Sequence, residues 1–159
     1  MKALVVYYSR TGTTRKIGEA ISQEMDADID EIIDQKERIG KLNYIRSARD
    51  AKGLKLTKIQ FQKNPKDYDI IIIGTPIWWG HLTPAVRTYL TKFDLKGKQV
   101  ALFITSQGED RDAVFAQIRE LLPESEIIGT FGILQETVNN GEFEEEVKAF
   151  TELLAKLYH

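Results

Sequence analysis

The chain has 159 residues, of which 42% are hydrophobic and 29% are charged, and its formal net charge is −2. This length favours a single domain over residues 1–159, with no room for a second catalytic domain, and the composition excludes a disordered chain. The absence of cysteine excludes disulfides, thiolate nucleophiles and iron–sulfur clusters, so redox chemistry would need a bound cofactor.

The opening segment, Met1–Tyr8, predicts a first strand rather than a signal peptide, because turn residues begin at Ser9 before any long apolar stretch. No run of about 18 apolar residues follows, so no membrane span is expected, and we expect a soluble, cytoplasmic protein. The near-neutral charge argues against nucleic-acid binding. With His81 and His159 as the only histidines, no metal site is expected.

Five apolar segments alternate with helical patterns along the chain. The strands are expected at Ala3–Tyr8, Ile29–Ile33, Asp69–Gly74, Val100–Thr105 and Ile127–Leu134. The helices are expected at Thr14–Met25, Lys41–Ala51, Pro84–Phe93, Asp110–Leu122 and Glu142–Leu157. Because the strands are apolar on both faces, they predict an α/β fold: a doubly wound, five-stranded parallel sheet of order 2-1-3-4-5 with helices on both faces. The segment 53–66 stays unassigned.

A hydroxyl-rich loop follows the first strand, with the residues Ser9, Arg10, Thr11, Gly12, Thr13 and Thr14. The N–H groups of a helix start are unpaired and carry the positive end of the helix dipole, so they suit a phosphate. Because neither GxxxxGK[ST] nor GxGxxG is present, a terminal phosphomonoester fits best. Alternatively, the hydroxyls only cap the helix. Arg10 either reaches the phosphate or faces solvent.

A basic segment lies between Lys36 and Lys58, where eight basic residues outnumber two acidic ones. Such a run is most often a solvated helix face. The alternative is a surface for an anionic ligand or partner.

The third strand leads into a loop at Thr75–Thr83 that holds both tryptophans of the chain, Trp78 and Trp79. Neighbouring loop side chains point in different directions, so at most one indole packs in the core. The other is available to stack on a flat ring such as isoalloxazine. Alternatively, one indole covers the end of the sheet and the other marks a protein interface. His81 is either a proton donor or an exposed bystander.

The fourth strand is followed by Thr105, Ser106, Gln107 and Gly108, and then by Glu109 and Asp110. Hydroxyl, amide and backbone groups of this kind suit the edge of a pyrimidine-like ring. The signal is weak by itself. It gains weight because the loops after the first, third and fourth strands are expected to converge at one edge of the sheet.

The chain resembles the flavodoxin family over nearly its whole length. The resemblance is most specific at the Ser9–Thr14 loop and at Gly-Thr-Pro-Ile-Trp-Trp-Gly after the third strand. The resemblance implies that FMN is the cofactor and that no side chain need be catalytic. It also implies that Ser9–Thr14 hold the phosphate and that Thr105–Gly108 line the pyrimidine edge. The residues implied to contact the ring are Pro76, Ile77, Trp78, Trp79 and Gly80. Thr75 is also expected to belong to the cofactor site.

Two features depart from many electron-carrying flavodoxins. No aromatic residue occurs between Phe103 and Phe115, so one flavin face is expected to be open. The chain is also nearly neutral, and its nearest acidic candidates, Glu109 and Asp110, equally suit a helix start. Together these features favour two-electron exchange over a dedicated one-electron shuttle.

The leading interpretation is an FMN-dependent electron-transfer protein, served by a redox partner protein or by a small donor or acceptor. The alternative on the same fold is an NAD(P)H-dependent quinone or flavin reductase. A third possibility is a binding or signalling module without flavin, because a fold never fixes a function. No motif in the sequence specifies the oligomeric state or the identity of the donor and acceptor.

Overall fold

A parallel sheet with helices on both faces organises the chain, as seen in a computed structural model that describes residues 2–108 and 110–157. The strands are β1 (Ala3–Tyr7), β2 (Asp28–Glu31), β3 (Ile33–Asp34), β4 (Ile59–Gln60), β5 (Ile70–Trp78), β6 (His81–Leu82), β7 (Gln99–Ser106) and β8 (Glu126–Leu134). The helices are α1 (Thr13–Met25), α2 (Lys41–Lys52), α3 (Pro84–Lys92), α4 (Arg111–Leu121), α5 (Gln135–Asn139) and α6 (Glu144–Leu157).

The five central strands run parallel in the order β2-β1-β5-β7-β8. Counting only these five, the order is 2-1-3-4-5, so the predicted doubly wound sheet is confirmed. Successive strand residues serve the two faces in turn. In β5, Ile71 and Ile73 pack with α2, α3 and α4, whereas Ile70 and Ile72 pack with α1 and α6. Both faces are buried, which explains the unbroken apolar run.

The third strand is longer than predicted, and the prediction of a loop at Thr75–Thr83 is wrong. The strand β5 continues to Trp78 and turns back into β6, with Ile77 paired to Leu82. The turn consists of Trp79 and Gly80, which both have positive φ angles of 49° and 74°. Two left-handed residues in succession form the tight hairpin turn that matches strand twist. The segment Thr75–Thr83 is therefore a hairpin rather than an irregular loop.

The chain between β2 and β5 also differs from the prediction. The predicted strand Ile29–Ile33 ends at Glu31, and β3 leaves the main sheet to pair antiparallel with β4 in a small second sheet. Buried Asp30 fastens this crossover, because its carboxylate accepts hydrogen bonds from the backbone N–H groups of Gln62 and Lys63 at 2.9 and 2.8 Å. The Asp30 carboxylate thus anchors the end of the unassigned segment 53–66 to the main sheet.

The short helix α5 was not predicted, since five residues give too little periodicity to detect. Within residues 2–108 and 110–157, no helix is long and apolar enough to cross a membrane.

Two buried tyrosines give opposite expectations for stability. The Tyr89 side chain is fully buried, and its hydroxyl has no hydrogen-bond partner among the described residues, whereas the Tyr68 hydroxyl donates to Asp28 at 2.7 Å. A buried polar group without a partner costs about 1–3 kcal/mol. We therefore expect Tyr89→Phe to raise the free energy of unfolding by about 1 kcal/mol and Tyr68→Phe to lower it by a similar amount. Urea unfolding of both variants measures this, and equal losses would contradict the assignment.

Candidate functional site

A pocket of about 120 Å³ opens at the carboxyl ends of β1, β5 and β7. Its lining consists of Ser9, Arg10, Thr11, Thr13, Thr14, Tyr44, Pro76, Ile77, Trp78, Thr105, Ser106, Gln107 and Gln135. Two more open grooves of about 430 and 560 Å³ share lining residues with it. A nucleotide-sized ligand needs roughly 300–1,000 Å³, so it would extend beyond the pocket itself. Ligands of open α/β sheets bind at this edge.

Most of the predicted site residues meet in this pocket. Five of them lie outside its lining: Gly12, Thr75, Trp79, Gly80 and Gly108. Thr75 is fully buried, and its hydroxyl bonds the Pro76 carbonyl at 2.8 Å and the Thr83 hydroxyl at 3.1 Å, so it ties β5 to the start of α3. Gly12 has a φ of 102°, which shapes the turn before α1.

The loop after β1 is shaped around the Ser9 hydroxyl. This oxygen accepts hydrogen bonds from the backbone N–H groups of Gly12 at 3.0 Å and Arg15 at 3.2 Å. Helix α1 begins without a side-chain cap on Gly12, so the N–H groups of Thr13 and Thr14 lie where a helix has no intrahelical acceptor. They sit at the positive end of the helix dipole. This arrangement suits an anion.

Thr14 links two of the converging loops. Its hydroxyl lies 2.8 Å from the hydroxyl of Thr105 at the end of β7, and both side chains are buried. The remaining loop hydroxyls belong to Thr11, which is exposed, and Thr13, which is half-buried, and both line the pocket. Thr11 and Thr13 are therefore the hydroxyls best placed to reach a ligand.

Arg10 connects the Ser9–Thr14 loop to the start of α2. Its Nε donates to the Arg38 carbonyl at 2.7 Å and its Nη2 to the Gly40 carbonyl at 3.2 Å. The guanidinium also lies 5.0 Å from the centre of the Tyr44 ring, within the range of a cation–π contact. The side chain thus joins two segments, which neither sequence-based alternative foresaw.

Tyr44 is a pocket residue that the sequence interpretation missed. It comes from the first turn of α2, and its half-buried ring lines both the pocket and the adjoining 560 Å³ groove. The expectation that one face of the flavin is open rested only on the loop after the fourth strand. Helix α2 begins near the edge where β1 ends, because Gly40 at its start accepts a hydrogen bond from Arg10 in the loop after β1. An aromatic residue in its first turn falls close to that edge.

The two tryptophans play different parts. Trp78 is buried and packs edge-to-face against Tyr8, with ring centres 5.6 Å apart, whereas Trp79 is 49% exposed at the hairpin turn. Gln117 of α4 holds this hairpin: its Nε2 donates to the Gly80 carbonyl at 3.0 Å, and its Oε1 accepts from the Leu82 N–H at 3.2 Å. Sequence reasoning missed Gln117, which carries no motif.

His81 lies in this hairpin opposite Trp78 and outside the pocket lining. Its Nδ1 is buried with no hydrogen-bond partner among the described residues.

The end of β7 places a residue with an unpartnered hydroxyl in the pocket lining. Ser106 is buried, and its Oγ makes no hydrogen bond within residues 2–108 and 110–157. Next to it, Gln107 Nε2 donates to Gln135 Oε1 of α5 at 3.0 Å. Of the two acidic candidates, Asp110 caps α4 by accepting from the Ala113 N–H, and Glu109 lies outside the described residues. Buried hydroxyls usually have a hydrogen-bond partner, so an unpartnered one in a pocket lining is a candidate to bond a polar ligand atom.

A buried charge cluster divides the basic segment. Arg38 is 4% exposed and bonds Asp34 and Asp50, each at 2.9 Å, while Lys36 bonds Asp50 at 2.6 Å. Burial disfavours the Asp50 carboxylate, but its hydrogen bonds from Lys36 and Arg38 outweigh this and hold its pKa below the usual range. The segment is therefore neither wholly a solvated face nor wholly a ligand surface. Arg38 is buried, Lys36 pairs with Asp50 while its side chain is exposed, and the other cations are exposed.

Comparison with known proteins agrees with this geometry. The profile of a family described as flavodoxin matches residues 2–152. The chain is 26% identical to a flavoprotein from Lactobacillus acidophilus NCFM that was crystallised in complex with FMN, with a TM-score of 0.73, covering 87% of this chain and 97% of that one.

A flavoprotein from Bacteroides uniformis is 25% identical, with a TM-score of 0.82, covering 95% of this chain and 97% of that one. Flavodoxin 2 from Bacillus cereus, at 22% identity and a TM-score of 0.61, covers 99% of both chains and shares the fold. No curated protein matches the sequence significantly.

Proposed function

The chain belongs to the flavodoxin family, and from that premise we propose that it binds FMN in the β1–β5–β7 pocket and transfers electrons with it. One observation carries the proposal: Thr13 and Thr14, at a helix start with no cap from the Gly12 position, line the same pocket as Ser106, whose buried hydroxyl makes no hydrogen bond among the described residues. An anion site beside an unsatisfied polar group matches a ligand with a phosphate at one end and a polar ring at the other. The FMN complex of the Lactobacillus relative supports the choice of ligand.

The residues present fit this cofactor. We assign the phosphate to the N–H groups of Thr13 and Thr14 and the hydroxyls of Thr11 and Thr13, where a helix start favours negative charge. We assign the polar edge of the ring to Ser106 and its neighbours at the end of β7. The residues assigned to the phosphate follow β1, and those assigned to the ring edge lie at the end of β7. Both therefore lie at the same edge of the sheet.

FMN supplies the redox chemistry when bound, since it accepts and donates one or two electrons. The protein contributes binding and orientation. Gln117 fixes the hairpin so that Pro76, Ile77 and Trp78 form a rigid wall, and Thr14 and Thr105 hold the phosphate loop against the end of β7. A rigid wall keeps the ring in one position relative to an incoming donor or acceptor.

Tyr44 provides a test of where the ring binds. If its aromatic face contacts the flavin, Tyr44→Ala should weaken FMN and riboflavin alike, by about tenfold, since aromatic pairs contribute about 0.5–1.5 kcal/mol. Tyr44→Phe should retain the affinity of the parent protein because it keeps the ring. Titration of both ligands, followed by flavin fluorescence, measures this. Unchanged affinity in Tyr44→Ala would remove Tyr44 from the ring site.

The proposed function itself is tested on the purified protein. We expect a visible flavin spectrum, or uptake of FMN by the apoprotein, with FMN bound at least tenfold more tightly than riboflavin because only FMN offers a phosphate to α1. Binding should also quench the emission of Trp78 or Trp79. Equal affinity for both ligands would overturn the phosphate assignment, and no binding would overturn the function.

A second candidate function, an NAD(P)H-dependent quinone or flavin reductase, is favoured by the 560 Å³ groove beside the pocket. Tyr44 and Lys41 line this groove, and they offer an aromatic face and a cation to a second, anionic substrate. Adding NADPH or NADH to the FMN-loaded protein without any partner separates the two candidates. Rapid bleaching of the flavin favours the reductase, and a stable spectrum favours the electron carrier.

A further inference from the structure

We infer that the outward face of α2 is a docking surface for an acidic electron-carrier protein. This inference rests on the proposed function, because such a partner would sit beside the flavin pocket. We define the α2 face by three exposed apolar residues, Leu42 and Ile45 of α2 and Ile39 just before it, and by the cations Lys41, Arg46 and Arg49.

The apolar residues of the α2 face are unusually exposed. Ile39 is 57%, Leu42 is 62% and Ile45 is 46% exposed. Within the part of the chain that the structure describes, six of the ten exposed large hydrophobic side chains fall between residues 33 and 56. Single exposed apolar residues are ordinary, but a concentration of them marks an interaction site.

Charge indicates what kind of partner fits. Between residues 39 and 58 all six basic side chains are exposed: Lys41, Arg46, Arg49, Lys52, Lys55 and Lys58. The single acid of that stretch, Asp50, is buried and bonded to Lys36 and Arg38. The whole chain nevertheless carries a net charge of −2. A positive face on a slightly negative protein attracts and orients an acidic partner.

The position of the α2 face connects it to the cofactor pocket. The 560 Å³ groove is lined by Arg10, Gly40, Lys41, Tyr44, Ile45 and Gln107. Three of these residues, Arg10, Tyr44 and Gln107, also line the pocket. A protein seated on α2 would therefore cover the groove and approach the site directly.

An anionic membrane surface is a less suitable occupant. Membrane-bound amphipathic helices separate a continuous apolar face from a charged one. The inner face of α2 packs into the hydrophobic core of the protein through Ala48 and Ala51. On the outer face Leu42 and Ile45 alternate with Lys41 and Arg46, and all four are exposed. Apolar contacts mixed with cations are typical of a protein interface with a polar rim.

The test measures binding of a plant-type ferredoxin, chosen as an acidic one-electron carrier, by fluorescence anisotropy of the labelled ferredoxin. The FMN-loaded protein and the apoprotein are titrated separately at several salt concentrations. Arg46→Glu with Arg49→Glu reverses charge on the α2 face, and Leu42→Ser with Ile45→Ser removes its apolar contacts. Matched controls on α6, across the sheet, are Lys148→Glu with Lys156→Glu and Leu153→Ser with Leu157→Ser.

We expect salt-sensitive binding that weakens at least about tenfold in each α2 double variant and less than about twofold in each α6 control. Circular dichroism confirms that all variants are folded. Absence of ferredoxin binding, or equal losses in α2 and α6 variants, would overturn the inference. Salt-sensitive binding to vesicles of 30% phosphatidylserine, without ferredoxin binding, would overturn it in favour of a membrane. Ferredoxin binding by a protein that takes up no FMN would support the surface while removing the proposed function.

Discussion

Gly74→Ala is expected to lower the free energy of unfolding by about 3 kcal/mol or more, which is at the upper end for overpacking of a core. Gly74 lies in the centre of β5, between Tyr7 of β1 and Phe103 of β7. A methyl group at this position would overlap the ring of Phe103, which is fully buried and has no room to withdraw. Chemical denaturation followed by circular dichroism measures the loss.

Two further variants separate this clash from a general intolerance of alanine. Gly129→Ala, on β8, places its methyl 3.1 Å from the tip of the Leu154 side chain, which can shift, so the expected loss is below about 1 kcal/mol. Phe103→Leu introduced into the Gly74→Ala background should restore part of the lost stability. A Gly74→Ala protein as stable as the parent would show that the strands separate more easily than their packing implies.

Removing the two reachable hydroxyls of the phosphate loop should have the largest effect on cofactor binding. Each hydrogen bond to a charged group contributes about 1.5–3 kcal/mol, so Thr11→Ala with Thr13→Ala should raise the Kd for FMN by about 100-fold or more. The Kd for riboflavin should change by less than about twofold, because riboflavin has no phosphate. Parallel titrations of the two flavins measure the difference.

Thr91→Ala is the control for this pair. Its hydroxyl is exposed on α3 and bonds the Arg87 carbonyl, away from the pocket. It should bind both flavins like the parent protein. If the loop variant lost FMN and riboflavin equally, the hydroxyls would be serving the fold of the loop, and the phosphate would have to bind elsewhere.

The main sheet was predictable from sequence because its strands are apolar on both faces, as in Ile70–Ile73. The crossover between β2 and β5 was not, because β3 and β4 have two residues each and lack a detectable period. The hairpin at Trp79 was hidden because a tryptophan is an unusual residue for a left-handed turn. That residues 1–159 form one domain stays a prediction.

Within the site, sequence reasoning found the residues that follow a strand directly and missed those that arrive from elsewhere. Ser9, Pro76 and Thr105 were found because the ends of parallel strands meet at one edge. Tyr44 and Gln117 come from helices, and their contacts depend on how those helices pack. The role of Arg10 as a link to Gly40 depends on that packing too.

The crossover between β2 and β5 is held by inward-facing carboxylates and not by its outer surface. Asp30 binds the backbone of Gln62 and Lys63, and Asp50 binds Arg38. Because these anchors need no particular outer residue, the exposed residues of the segment can change while the path of its backbone is kept. A protein engineer can use this freedom. Exchanging only the outer residues should change the surface of this segment while its carboxylate anchors stay in place.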